Sequence, residues 1–154
     1  MSEEITPLRI YLDSCALNRL TDPVGQLRVD QESDAMEAIF LRIEEGRIAW
    51  VASTILIKEL RKNSDVQRRE DALGMLKFAA EIRPANTSVA RRARTLEAVG
   101  YGAFDAFHLS IAEDSRVDLL ITTDDRFLRK ILRGLGKPMI YVANPLDLIR
   151  GRTP

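Results

Sequence analysis

The sequence is poor in the residues that most often do chemistry unaided. It holds one cysteine, Cys15, and one histidine, His108, in 154 residues. A lone cysteine excludes an internal disulfide framework, and with a lone histidine it excludes zinc sites built from several thiolates or imidazoles. Any metal must therefore be held by oxygen. Cys15 itself reads as a small buried apolar residue. Aromatics make up only 6% of the chain, and neither a stacking motif nor a glycine-rich phosphate loop accompanies them. Base-by-base reading of a single strand has little to work with.

An excess of one charge is also missing. Lys+Arg and Asp+Glu both number 23, so a polyanion would have to be met by local patches rather than by a whole-molecule field. No apolar run approaches the ~20 residues needed to cross a bilayer, and the acidic stretch from Met1 to Pro7 contains no signal-like apolar region. The expectation is a soluble, cytoplasmic protein with no membrane partner. Linkers, repeats and low-complexity segments are absent too, which leaves residues 1–154 as a single domain able to bury a core without staples.

What is present is an alternation of short apolar runs and amphipathic helices. The run Arg9 to Leu12 reads as a buried strand stopping at Asp13-Ser14, followed by a short helix from Ser14 to Leu20 and a loop over Gly25 to Arg28. Asp34 to Glu45 places Met36, Ile39, Phe40 and Ile43 at helical spacing, with Gly46 as its cap. Ile48 to Ala52 is a second strand, and Ser53-Thr54 can cap a helix to Arg61. Asp65 to Ala80 predicts another amphipathic helix, and Ile82 to Ala85 a short edge strand, since Pro84 is poorly tolerated in a sheet centre. Thr87 or Ser88 would cap a basic helix broken by Gly100 and Gly102. A helix from Ala103, a strand from Val117 to Thr122, a helix from Arg126 to Arg133, a strand from Met139 to Val142 and a terminal helix from Asn144-Pro145 complete the series. Near-continuous apolar strands alternating with helices define an α/β fold, a three-layer α/β/α sandwich with a central parallel sheet.

Four acids stand out in this frame. Asp13 and Asp124 each end a buried strand, so in a parallel sheet both fall on the carboxyl edge, where open α/β folds place their ligand crevice. Asp105 lies in Ala103 to Ala112, a helix apolar nearly all round, where a carboxylate is costly unless compensated. Glu59 sits on the helix after the second strand, within reach of the same edge. Each has a plainer reading: Asp13 and Asp124 as helix caps, Asp105 as a first-turn acid suited to the helix dipole, Glu59 as a solvated surface residue. Together they would repel. Two like charges ~4 Å apart cost about 4 kcal/mol at an effective dielectric near 20, and a divalent cation removes that cost. Oxygen ligands suit Mg²⁺ or Mn²⁺, which can activate water and stabilise a leaving oxygen at phosphorus without a histidine base.

Leu12-Asp13-Ser14, the Glu59 of Ile57-Lys58-Glu59-Leu60, the box Phe104-Asp105-Ala106-Phe107-His108-Leu109 and the run Leu120 to Phe127 resemble, in order, the four acidic signatures of PIN-domain nucleases, and are most similar to the small VapC-like toxin ribonucleases. The resemblance covers essentially the whole chain and implies a PIN-like domain, Mg²⁺- or Mn²⁺-dependent endoribonuclease activity on RNA, homodimerisation and often a cognate antitoxin. Carried over residue by residue, it implies that Asp13, Glu59 and Asp105 are central metal ligands and Asp124 the fourth acid, with Asp125 as the alternative in that register. Ser14 and Thr123 become hydroxyls that orient the ligands or their water. His108 is more often structural in this box.

The chain departs from the family at Cys15, where many members carry an asparagine two residues after the first acid. That departure favours an alternative, a catalytically weak or inactive PIN-like module that binds RNA or protein. Lys58, Arg61, Arg126 and Arg129 read as a basic rim, and Arg91, Arg92 and Arg94 as a second patch, either for phosphate steering or as ordinary solvated helix faces. A phosphoacceptor domain also places acids at strand ends, but the last strand here runs into Asn144-Pro145 without the lysine such a site uses.

Overall fold

The apolar runs pair into one five-stranded sheet, parallel throughout. The computed structural model describes residue 4 and residues 6–154, so the polar stretch from Met1 to Pro7 lies partly outside the described residues. The strands are β1 (Leu8–Leu12), β2 (Ile48–Ser53), β3 (Glu81–Arg83), β4 (Leu119–Ile121) and β5 (Tyr141–Ala143), in the order β3-β2-β1-β4-β5. The chain adds β2 and β3 on one side of β1, then returns to add β4 and β5 on the other. That reversal makes a topological switch point between β1 and β4, beyond whose carboxyl ends open α/β folds place their ligand crevice.

Alternation along β1 divides the core in two. Ile10 and Leu12 face one way, with Trp50, Ala52 and Ile121; Tyr11 faces the other, with Val51 and Leu120. The first face is covered by α1 (Ser14–Asn18), α2 (Leu27–Glu44), α4 (Val66–Gly74) and α8 (Pro145–Ile149). The second is covered by α5 (Thr87–Ala98), α6 (Ala103–Asp114) and α7 (Asp125–Leu132), which bring Val89, Leu96, Leu109, Phe127 and Ile131 onto it. Helix α3 (Thr54–Leu60) follows β2 directly, capped by the Ser53 hydroxyl, which accepts from Leu56 N at 3.0 Å. The three layers are those the periodicity predicts. Among the described residues no helix is long and apolar enough to cross a membrane.

Several boundaries move. Helix α2 begins at Leu27, not Asp34, because its first turns are held by charge rather than by apolar spacing. Arg28 grips Asp125 through two hydrogen bonds of 2.6 and 2.7 Å, and the fully buried Glu32 is bonded by Arg19 and Asn144. At its other end Gly46, at φ 76°, makes the left-handed cap, and Arg47 N reaches back to Arg42 O at 2.9 Å. The helix expected from Asp65 to Ala80 stops at Gly74 and tightens into a 3₁₀ turn over Met75–Phe78. The cap of α5 is Asn86, whose side chain accepts from Val89 N, rather than Thr87 or Ser88. The edge strand expected at Ile82 to Ala85 is shifted by one residue and shorter.

Candidate active site

Register places the acids. Leu12 pairs with Ile121, so the next residues, Asp13 and Thr122, leave the sheet side by side. Asp13 N donates to Ile121 O at 3.3 Å, extending the ladder by one rung. The Asp13 carboxylate is only 2% exposed; Oδ1 accepts from Ala16 N at 2.9 Å, and Oδ2 accepts from the Thr122 hydroxyl. The helix-cap reading is thus correct for Asp13, and it does not account for the second oxygen. Burial pushes the Asp13 carboxyl up to about 7, against the opposing pull of the Thr122 hydroxyl, His108 and the Ala16 amide.

Asp105 stands in the first turn of α6, half-buried. Burial pushes it up to about 6; His108 opposes the rise, and the charges of Asp124 and Glu59 add to it. Glu59 lies near the end of α3, where burial would raise its pKa, but its bond to His108, the Ser14 hydroxyl and Lys62 hold it below the usual range. Asp124 caps α7, its Oδ1 accepting from Arg126 N at 2.9 Å and Phe127 N at 3.3 Å. Cys15 reports on all four together. Its thiol is pushed far up by burial and then by Asp13, Asp124, Glu59 and Asp105, so four carboxylates act on one sulfur and keep it protonated. The residue is partly exposed rather than fully buried.

Asp125 belongs elsewhere. The Arg28 guanidinium holds its carboxyl below the usual range and ties it to the start of α2. Of the two acids in the Thr-Thr-Asp-Asp run, Asp124 is the one coupled to Asp105. Thr123 Oγ1 is buried without a hydrogen-bond partner among the described residues. Lys58, Arg61, Arg126 and Arg129 are exposed. Arg92 leaves the second basic patch: it is bonded to Glu113, Gly136 O and Lys137 O. Sequence reasoning missed Thr122, Tyr11 and Ser53. Their partners come from neighbouring strands and α6, so only strand order could have revealed them.

The donor set fits a hard divalent cation: oxygen ligands only, two of them held near neutrality by burial and mutual repulsion that a cation would relieve. Among the described residues no three acidic, histidine or cysteine side chains are gathered around one point at ligand distance. Each carboxylate with a hydrogen-bond partner is turned toward it: Asp13 toward Thr122 and Ala16, Glu59 toward His108, Asp124 toward the start of α7.

A doubly wound parallel sheet with acids at the carboxyl edge of its switch point defines a class of proteins whose ligands bind beyond the strand ends. The model of the PIN domain family matches residues 10–131, and the chain belongs to that nuclease family. Among solved structures it is similar to VapBC2 from Rickettsia felis bound to a DNA fragment from their promoter, with a TM-score of 0.61 and 15% identity over 89% of this chain and 98% of that one. It is similar also to the Mycobacterium tuberculosis toxin VapC20, which cleaves the sarcin-ricin loop, with a TM-score of 0.60 and 12% identity over 83% and 97%. A protein from Pyrobaculum aerophilum aligns at a TM-score of 0.52 and 18% identity over 93% and 88%. At these identities the likeness is one of fold. No curated protein sequence matches.

Proposed function

We propose that the chain is a Mg²⁺- or Mn²⁺-dependent endoribonuclease that hydrolyses RNA phosphodiesters, working as one PIN-like domain in a cytoplasmic homodimer and restrained by a cognate antitoxin. One observation carries the reading: Asp13, Glu59, Asp105 and Asp124 sit within electrostatic reach of one another at the switch-point crevice, with the first and third pushed up to about 7 and about 6. A site of that charge is poised for a cation. Asp13, Glu59 and Asp105 would hold it, and Asp124 would orient the ion or its water. The cation supplies an activated water and neutralises charge at phosphorus. Thr122 and Ala16 N fix the Asp13 carboxylate for this role, and the exposed Lys58, Arg61, Arg126 and Arg129 offer phosphate contacts around the mouth. Cleavage of the sarcin-ricin loop by the Mycobacterium tuberculosis neighbour supports structured RNA as the substrate class.

The reading is tested with purified protein, Mg²⁺ or Mn²⁺, and structured RNAs. Cleavage that needs the metal and disappears in Asp13→Asn and Asp105→Asn is the expected result. Undiminished cleavage in those variants refutes the assigned site. RNA binding without cleavage under any metal condition selects the inactive binding module that Cys15 favours.

A further inference from the structure

We propose that His108 is a positioning residue for Glu59, locked by Tyr11 and Ser53 as the tautomer that carries its proton on Nε2. The inference rests on the reading of Glu59 as a metal-holding carboxylate. His108, Tyr11 and Ser53 are fully buried, and they form a single file of hydrogen bonds. Leu56 N donates to Ser53 Oγ at 3.0 Å; Ser53 Oγ lies 2.7 Å from the Tyr11 hydroxyl; that hydroxyl lies 2.6 Å from His108 Nδ1; and His108 Nε2 lies 2.9 Å from Glu59 Oε1.

The two ends, with the need to place the buried Ser53 hydrogen, fix the direction of the bonds between them. At one end a backbone N–H can only donate, and at the other an ionised carboxylate can only accept. Nε2 must therefore carry hydrogen toward Glu59. From the other end, the buried Ser53 hydroxyl gives its hydrogen to the Tyr11 oxygen, the Tyr11 hydroxyl gives its own to Nδ1, and Nδ1 must therefore be a bare lone pair. Each hydroxyl donates once and accepts once. Reversing the file would leave the Ser53 hydrogen without an acceptor in a fully buried position, at the full desolvation cost of that group. Burial also keeps the Tyr11 phenol protonated, so its donor persists.

The geometry gives the ring a task beyond filling the core. His108 is one helical turn beyond Asp105 on α6 and reaches across to Glu59 on α3. Engaging Oε1 fixes the rotation of the Glu59 carboxylate and ties α3 to α6. Hydrogen-bond partners that orient metal-binding groups in this way commonly contribute 10–100-fold in metal affinity or activity.

Because His108 is the chain's only histidine, long-range ¹⁵N–¹H NMR on tag-free, metal-free protein reads its tautomer without ambiguity. The expected spectrum is that of an Nε2–H imidazole; an Nδ1–H pattern overturns the proposal without any variant being made. The second arm is Mn²⁺ affinity by calorimetry. Tyr11→Phe and His108→Leu should bind Mn²⁺ about 10–100-fold more weakly, while His108→Gln, whose amide can present the same donor and acceptor, should restore binding to within a few-fold of wild type. Equal Mn²⁺ affinity in wild type, Tyr11→Phe and His108→Leu, with all three folded, reduces the ring to a core residue and leaves the metal reading intact. Wild-type protein that binds no Mn²⁺ instead removes the metal reading itself, and with it this role for His108.

Discussion

Thr122 hydrogen-bonds in two directions at the mouth of the crevice: its hydroxyl donates to Asp13 Oδ2 and accepts from Asp124 N at 3.0 Å. One side chain thus couples the ends of β1 and β4 at the point where the sheet reverses its direction of growth. Replacing it with valine keeps the volume and removes both bonds. Thr122→Val should lower stability by about 1–3 kcal/mol in urea denaturation at pH 8, the cost of stranding a buried charged acceptor. It should also push the Asp13 carboxyl higher still. Unchanged stability at that pH contradicts the coupling.

The raised carboxyls make metal-free stability depend on pH in a definite sense. Both groups hold their proton more tightly when folded, at about 7 and about 6, than an ordinary aspartate at about 3.9 in the unfolded chain. Their contribution is then fully present below about pH 4, declines as pH rises from there through 7, and is constant above. For the buried Asp13 the ceiling is about 4 kcal/mol. Thermal melts in EDTA should show Tm falling across that window, with Asp13→Asn flattening the slope. Added Mn²⁺ should recover stability on the alkaline side, and melts insensitive to pH in EDTA count against the assignment.

Asp124 and Asp125 separate cleanly by substitution. Asparagine caps a helix about as well as aspartate, so Asp124→Asn should leave Tm within about 2 °C while reducing RNA cleavage by about 100-fold or more, equivalent to at least about 2.7 kcal/mol. Asp125→Ala breaks a half-exposed ion pair with Arg28, for which a loss of roughly 0.2–1 kcal/mol is expected, with cleavage within a few-fold of wild type. The reverse pattern would transfer the fourth acidic role to Asp125.

Cys15 offers a gain-of-function test. Its protonated thiol stands among four carboxylates and is a weak hydrogen-bond donor where an amide would be a strong one. Cys15→Asn should raise kcat/KM for RNA cleavage by several-fold to about tenfold, up to about 1.4 kcal/mol of barrier, with Mn²⁺ affinity unchanged. A loss of activity would show that the thiol suits this substrate.

Strands β1, β2 and β4 were legible as sequence because each is an apolar run ending on a polar residue, and Asp13 and Asp124 were legible for the same reason. The start of α2 was not, because Arg28 and Glu32 are ordered by partners at Asp125 and Asn144, and hydrophobic spacing carries no trace of an ion pair. The break at Gly74 leaves no mark in the periodicity, because the apolar spacing continues through Leu76. Thr122, Tyr11 and Ser53 look like unremarkable strand residues until β1 is known to lie between β2 and β4. Periodicity identifies faces; it does not say which strands are neighbours.

That central place of β1 also bears on the order of synthesis. Asp13 and its partner Thr122 lie 109 positions apart along the chain, and contacts so distant in sequence are closed late in folding. A nascent or truncated chain that has not reached β4 holds an unassembled crevice. The acids at the ends of β1 and β4 therefore meet only once both strands exist, and the switch point cannot act as one site before then.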